Sequence, residues 1–229
     1  MKKIVFLCFV LFSITVKAQF TESLASDRPG QALSVNTVGK NVFQNQTGID
    51  FFENNSLYVP SSFFRFGLSE KLELNSGFIL SGENFASDLA SFTIGARYLL
   101  SNVDSNSKSS LQLSYDFGAD AKNTQLTYIF GSSFTDKLSY TANLGINVND
   151  DFNTNNALYV FNMAYSLNTK MGVFVETFGT FLNNTDQINF DAGYYYLINT
   201  NFQLDALIGE NDGLFVGAGF TWRVPFNKK

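Results

Sequence analysis

Histidine is absent from this chain of 229 residues, and cysteine occurs once, at Cys8. Without histidine there is no Ser-His or Cys-His nucleophile, no imidazole general base and no histidine metal ligand. A single cysteine excludes a disulfide framework and a thiolate zinc site. We therefore expect a protein that is not an enzyme and that holds neither a metal nor another cofactor.

Charged residues are also scarce, at 15% of the chain, against about 25% in ordinary soluble domains. The formal net charge of -5 and the pI near 4.7 argue against nucleic acid as a partner. Aromatic residues reach 16%, with 26 Phe and 10 Tyr. This abundance excludes a disordered chain, which would have few aromatic residues.

The first 18 residues have the layout of a secretory signal peptide. Lys2 and Lys3 precede an apolar stretch from Ile4 to Val16, and the short residues Val16 and Ala18 flank Lys17. The alternative, a membrane anchor, would need about 20 apolar residues to cross the bilayer. We therefore predict that residues 1–18 are cleaved, which removes Cys8 from the mature chain.

The remaining chain alternates polar and apolar residues and contains no run long enough for a membrane-spanning helix. The segments 72–78, 111–117 and 188–194 show this period of two, which indicates β-strands. Twelve strands are predicted, with ends uncertain by about two to four residues. They are 42–52, 57–68, 72–81, 91–100, 110–118, 124–134, 138–148, 157–167, 171–181, 187–197, 202–209 and 214–226.

The links between these strands differ at the two ends of the predicted sheet. Tight turns follow even-numbered strands, as at 69–71 and 168–170, while 101–109 is a long exception. Links after odd-numbered strands tend to be longer, as at 82–90 and 149–156. Bacterial outer-membrane barrels have an even strand number, short periplasmic turns and longer outer loops. The fold class predicted is thus an all-β, antiparallel, up-and-down transmembrane barrel over residues 42–226.

All charges within the predicted strands fall on one face. A charge that faces lipid costs about 2–4 kcal/mol at the membrane centre, so these residues should point into the barrel. A soluble β-sandwich or calyx would instead carry many Lys and Glu on its outer face. We predict an outer-membrane location with lipid as the outer partner. The inward charges are Asp50, Arg65, Glu73, Arg97, Asp116, Glu176, Asp191, Asp205 and Arg223.

Hairpin geometry predicts that Arg65, Glu73, Arg97 and Asp116 form one network on the inner wall, since diagonal cross-strand pairs lie about 7–8 Å apart. Glu176 and Asp191 should lie close together on the opposite wall. These charges either line a solute pathway or cross-link a filled interior, because twelve strands lie between the filled and the open barrel sizes.

Other inward positions carry apolar side chains that either contact a solute or pack together; packing is the favoured interpretation. These positions are Phe63, Ile79, Ile129, Phe174, Phe178, Tyr195 and Phe215. The outer loops carry nine acidic residues against Lys122, which either attract cations or form a solvated rim. The acidic residues are Glu53, Glu83, Asp88, Asp120, Asp150, Asp151, Asp186, Glu210 and Asp212.

Residues 19–41 precede the first strand and contain Asp27, Arg28 and Pro29. This segment lies either in the periplasm or inside the barrel as a small plug. In either position, we expect Arg28 to be its anchor through a carboxylate.

Several short motifs occur in a fixed order along the chain. Ser26–Gln31 reads S-D-R-P-G-Q, and Arg65–Ser69 with Leu72–Leu74 gives R-F-G-L-S followed by L-E-L. The order resembles that of the outer-membrane barrel family named for the MetA pathway of phenol degradation, although that family most often carries an acidic residue where Gly30 stands. The resemblance implies an outer-membrane barrel with a transporter role. The other similar segments are Val38-Gly39, Gln46–Gly48, Gly172–Glu176 and Phe215–Arg223.

Together these features predict a monomeric barrel, inserted by the barrel-assembly machinery, that passes a small solute by passive diffusion, with aromatic solutes among the candidates. The alternative is a structural or surface-interaction barrel with a lumen filled by side chains.

Overall fold

The structure is a computed structural model that describes residues 24–53, 57–81, 88–118, 122–151, 153–182 and 186–226. The predicted signal peptide and the loop residues Glu83 and Asp120 lie outside the described residues. The twelve strands are β1 Val42–Phe52, β2 Leu57–Gly67, β3 Leu72–Ser81, β4 Asp88–Leu99, β5 Lys108–Phe117, β6 Lys122–Ser133, β7 Leu138–Asn149, β8 Thr154–Ser166, β9 Met171–Phe181, β10 Asn189–Asn199, β11 Phe202–Glu210 and β12 Leu214–Pro225.

Each strand pairs antiparallel with the next, and β1 pairs with β12, so the sheet closes into a barrel. The predicted fold class and the twelve strands are confirmed. The largest differences in strand ends occur at the starts of β4 and β8. Ser81 pairs with Asp88 and Val148 with Thr154, because polar residues near the loops still join the hydrogen-bonded ladder. Among the described residues, no helix is long and apolar enough to cross a bilayer.

The two ends of the barrel differ less in link length than the sequence predicts. Tight links at 68–71, 134–137, 167–170 and 200–201 join the hairpins at the end where β1 begins and β12 ends, and 100–107 is the long exception. At the opposite end, hereafter the loop end, the link 150–153 is also tight. β4 and β8 begin earlier than predicted, so residues 88–90 and 154–156 belong to strands and not to the loops.

The outer and inner faces of the wall have opposite chemistry. Val175 is 58% exposed on the outside, whereas its neighbour Glu176 is only 4% exposed. Arg65, Glu73 and Arg97 are fully buried within the barrel. A surface of exposed aliphatic and aromatic side chains around buried charges is stable in lipid and not in water. This arrangement confirms a transmembrane barrel of the bacterial outer-membrane type.

Residues 24–41, hereafter the lumen segment, lie inside the barrel. Leu24, Val35 and Val38 of this segment are buried. The segment turns into β1 through Gly39 and Asn41, both at positive φ. A Cβ at Gly67 of β2 would overlap the Gly39 carbonyl, so glycine at position 67 permits this close approach.

An apolar cluster fills part of the interior near the lumen segment. Val160, Phe174, Phe178, Leu207 and Phe215 are buried in it, and Ala32 of the lumen segment packs against it. The inward aromatic residues of β9 and β12 therefore serve packing. Ile79 differs from this group, because it is 41% exposed beside a register shift in β3.

Candidate functional site

One side of the lumen carries two basic side chains and one acidic side chain, which the lumen segment brings to balance. This balanced wall consists of Arg65 on β2, Glu73 on β3 and Arg97 on β4. Arg65 Nε donates to Glu73 Oε1 at 2.7 Å, and Arg65 Nη2 donates to Glu73 Oε2 at 2.9 Å. The register sets Glu73 opposite both Gly67 and Arg97. The predicted proximity of Arg65, Glu73 and Arg97 follows from that register.

Arg97 takes its carboxylate partner from the lumen segment. Its Nη1 and Nη2 donate to the two carboxylate oxygens of Asp27, each at 3.0 Å, and Arg65 Nη1 lies 3.4 Å from the same carboxylate. Arg97 also donates to Gln112 Oε1 on β5 at 2.7 Å. Asp27 therefore neutralises the excess positive charge of two arginines against one glutamate.

Asp116 does not join this network. The β4–β5 register places Gln112 opposite Arg97 and sets Asp116 opposite Thr93, nearer the loop end. Asp116 instead accepts a hydrogen bond from Ser91 Oγ at 2.6 Å. The predicted contact with Arg97 is wrong because the long link 100–107 obscures the register of this hairpin.

The balanced wall also binds the main chain of the lumen segment. Arg65 donates to the carbonyl oxygens of Ala25 at 2.8 Å and Asn36 at 2.7 Å. Arg97 donates to the Ser34 carbonyl oxygen at 2.8 Å, and the Val38 N–H donates to Glu73 at 2.9 Å. Charged side chains thus replace the strand partner that a buried backbone otherwise needs.

The opposite side of the lumen carries mainly carboxylates. This acidic wall consists of Glu176 on β9, Asp191 on β10, Asp205 on β11 and Asp50 on β1. Glu176 and Asp191 lie directly opposite one another in the β9–β10 ladder, as predicted. Glu176 accepts hydrogen bonds from the N–H groups of the lumen segment at positions 31 and 32, at 2.6 and 3.3 Å, and from Asn162 at 2.6 Å.

Arg28 of the lumen segment faces the acidic wall. Its Nη2 donates to Asp205 Oδ1 at 3.1 Å and its Nε donates to the same oxygen at 3.2 Å. A Cβ at Gly48 of β1 or at Gly219 of β12 would overlap the guanidinium, so these glycines leave the space that it occupies. The predicted anchoring of Arg28 by a carboxylate is confirmed.

Arg223, the last charge in the predicted set, lies on β12 opposite Gln44 of β1. It is buried on β12 and its Nε donates to Asn201 Oδ1 at 3.0 Å, beside the turn between β10 and β11. It therefore braces the end of the barrel where β1 begins and β12 ends.

The position of Asp27 between two arginines determines its ionisation. Burial alone would raise the pKa of Asp27, but the nearby Arg65 and Arg97 guanidiniums hold it below its usual value, helped by hydrogen bonds from Arg97 and the Ser34 N–H. Asp27 is therefore a carboxylate at neutral pH, and it attracts both arginines.

Three cavities adjoin the lumen segment. Asp27, Arg28 and Pro29 line one of about 170 Å³, and Arg28 also lines one of about 280 Å³. A third, of about 470 Å³, lies toward the loop end above Gln31 and Leu33; we call it the loop-end cavity. No group of three or more potential metal-ligating side chains occurs within the described ranges.

Sequence reasoning missed the neutral side chains that hold the lumen segment. Asn143 accepts from the Leu33 N–H at 2.7 Å and donates to the Leu33 carbonyl oxygen at 3.2 Å. Gln46 Oε1 accepts from the Asp27 N–H at 2.8 Å. The only sign of their role in the sequence is that they occupy inward positions of their strands, and many residues that do not bind the segment occupy such positions too.

No protein-family model and no curated protein sequence matches this chain. Solved structures of similar fold include the NanC porin, with a TM-score of 0.65, 7% identity, and coverage of 79% of this chain and 100% of that one. The KdgM porin in complex with disordered oligogalacturonate gives a TM-score of 0.64 at 12% identity, covering 79% and 98%.

An outer membrane channel from Pseudomonas putida F1 is similar over a larger share of this chain. It gives a TM-score of 0.60 at 12% identity, with coverage of 86% of this chain and 99% of that one. At such identities the likeness establishes a shared outer-membrane barrel fold.

Proposed function

We propose that this barrel is a passive channel for small solutes across the bacterial outer membrane, and that the lumen segment closes it in the conformation described here. The observation that carries the proposal is the way in which the segment is held. Ion pairs and side-chain hydrogen bonds join it to the inner wall, and the segment adds no strand to the sheet.

The backbone hydrogen bonds of the strand ladder do not include the lumen segment, and Asn41 bonds to Gly67 and Phe226 only where the segment enters β1. All twelve strands pair among themselves, and β1 with β12 completes the closure. Departure of the segment would therefore leave the ladder intact while opening the space now occupied by residues 24–41. Polar contacts of this kind can be exchanged for water at modest cost, because water replaces each hydrogen bond.

Membership of the MetA-pathway family is part of this proposal. Its support is that the separated motifs converge on one contact set. Ser26 Oγ donates to Gln46 at 3.1 Å, Arg28 lies over Gly48, and Arg65 pairs with Glu73. Glu176, from a later motif, binds the main chain beside Gly30, where an added Cβ would overlap its carboxylate.

A transport role also agrees with the solved structures of similar fold, which are described as porins or as an outer membrane channel. We further propose that the protein acts without catalysis, as a monomer inserted by the barrel-assembly machinery. The buried state of Phe174, Phe178 and Phe215 favours packing, so these side chains give no support to an aromatic solute in particular.

Planar-bilayer conductance tests the proposal. The purified protein should show brief openings, and a variant lacking residues 24–41 should conduct steadily. Circular dichroism and heat-modifiable migration would verify that both are folded barrels. A folded deletion variant that carries no current above background would contradict a channel and favour the structural or surface-interaction barrel.

A further inference from the structure

The loop-end cavity differs from the rest of the lumen because none of the described residues that line it carries a charge. Seven of its lining residues carry carboxamides and five carry hydroxyl groups. Its volume of about 470 Å³ lies within the range of small-molecule sites, about 300–1,000 Å³. The charged groups of the two walls line other parts of the lumen.

Two polar side chains that line this cavity are buried. They are Asn189 on β10, which is 6% exposed, and Ser114 on β5, which is 9% exposed. Polar groups so far from bulk solvent are normally satisfied by protein, ordered water or a ligand. Both side chains line the cavity, so a hydroxyl-bearing solute could satisfy them.

The cavity also has an apolar side. Phe178, Leu158 and Val160 line it beside Tyr159. A lining that combines apolar contact with a few polar groups fixes the orientation of an amphipathic ligand. A sugar ring has matching chemistry, since hydroxyl groups surround its edge and C–H groups cover its faces.

The same lining disfavours an ionised solute. A carboxylate moved out of water needs a cationic partner. Arg97, which contacts the cavity-lining Gln112, already donates to Asp27, Gln112 and Ser34. An ammonium group would find no carboxylate among the described residues that line the cavity. The described part of the loop end carries mostly acidic side chains, which repel anions further.

We propose that the loop-end cavity binds a neutral, hydroxyl-rich ring solute of the saccharide class. This inference rests on the proposed channel function and specifies its solute. Binding in the cavity requires no movement of the lumen segment, so it is measurable in the closed protein.

Saturation-transfer-difference NMR on the detergent-purified protein tests this inference with three sugars of one ring size: glucose, glucuronate and glucosamine. Glucose should bind saturably and more tightly than either charged analogue. The variant Asn189→Leu should weaken glucose binding by about three- to tenfold, the loss expected for one hydrogen bond. Asn102→Leu, at an exposed position near the opposite end, is the matched control.

Ser114→Ala removes only a hydroxyl group and serves if Asn189→Leu does not fold. Equal or tighter binding of glucuronate or glucosamine would overturn the inference, as would unchanged glucose affinity in both folded cavity variants. Absence of glucose binding in a protein that conducts would overturn the solute class and leave the channel function standing. Absence of both would contradict the channel itself.

Discussion

The two walls of the lumen handle charge in opposite ways within one sheet. On the balanced wall, Arg65 and Arg97 face Glu73, and Asp27 supplies the missing negative charge. On the acidic wall, carboxylates from four strands face inward, and Arg28 pairs with Asp205. Two adjacent residues of the lumen segment thus carry opposite charges to opposite walls. The charges of Asp27 and Arg28 are each opposite in sign to the side chains with which they pair on the wall.

This difference gives the walls different roles once the lumen segment leaves. The balanced wall would keep its internal Arg65–Glu73 pair and one excess positive charge. The acidic wall would lose Arg28 and keep its carboxylates. The open lumen would then have a field directed across it, with a surplus of acidic groups that favours cations.

The largest expected effect comes from exchanging the two charges. In the double variant Asp27→Arg, Arg28→Asp each side chain would face groups of its own sign, and a buried charge without its partner costs about 3–5 kcal/mol. The lumen segment should leave the barrel, and bilayer conductance should approach that of the segment-deleted protein. The same exchange at the exposed turn residues Asp136 and Lys137 is the control, and it should change nothing.

Conductance unchanged by the Asp27-Arg28 exchange, in a variant shown to be folded, would mean that charge complementarity does not hold the segment. Limited proteolysis gives an independent reading, because a released segment should be cleaved faster than in the parent protein.

The next effect concerns the balanced wall alone. Arg65→Met keeps the approximate length of the side chain but leaves Glu73 buried without its cation. We expect a loss of about 3–5 kcal/mol in the free energy of unfolding, measured by urea titration in detergent micelles. Lys137→Met, at an exposed turn, should stay within about 0.5 kcal/mol of the parent. Equal stability of the two variants would show that the Arg65–Glu73 pair is not a structural anchor.

The outer face and the strand pattern of this barrel were predictable, because lipid excludes charge from every outward position and the sequence must obey that rule along each strand. The pairing of Arg65 with Glu73 was predictable for a related reason. A tight turn fixes the register of the β2–β3 hairpin. The same reasoning fails for Asp116, where a long link leaves the register undetermined.

The position of the lumen segment against the inner wall was less predictable. The segment has no periodicity, so the sequence offers no means to align Asp27 with Arg97 or Leu33 with Asn143. Arg28 was recognisable because a buried arginine needs a carboxylate, yet four inward carboxylates on that wall were equally suitable. Selection of Asp205 depends on the space left by Gly48 and Gly219, which only the folded barrel reveals.

A smaller effect should follow from pH, through Asp27. Its pKa in the folded state lies below the unfolded value of about 3.9, so its contribution to holding the segment is complete above that value. The contribution is lost only as the pH falls through the lower folded pKa. Loss of the Asp27 charge should therefore favour opening only in acid stronger than about pH 5.

The variant Asp27→Asn distinguishes the effect of this carboxylate on conductance from the effects of the other carboxylates in the lumen. The variant should open more often at neutral pH, because Arg65 and Arg97 lose the carboxylate with which both pair. Its conductance should also respond less to acid. Asp136→Asn should behave like the parent protein. A conductance rise in the parent between pH 7 and 5 would assign the gating to another group.

The smallest effect tests the neutral contacts between the walls. Asn143 binds both the N–H and the carbonyl oxygen of Leu33, as a neighbouring strand would. Asn143→Leu removes both bonds, and we expect about 1–3 kcal/mol less protection of the Leu33 amide against hydrogen exchange. Asn147→Leu breaks a side-chain bond to Asn156 nearer the loop end, and should leave that amide unchanged. If both variants exchange alike at Leu33, the charged anchors alone hold the segment, and the middle of the segment contributes little to closure.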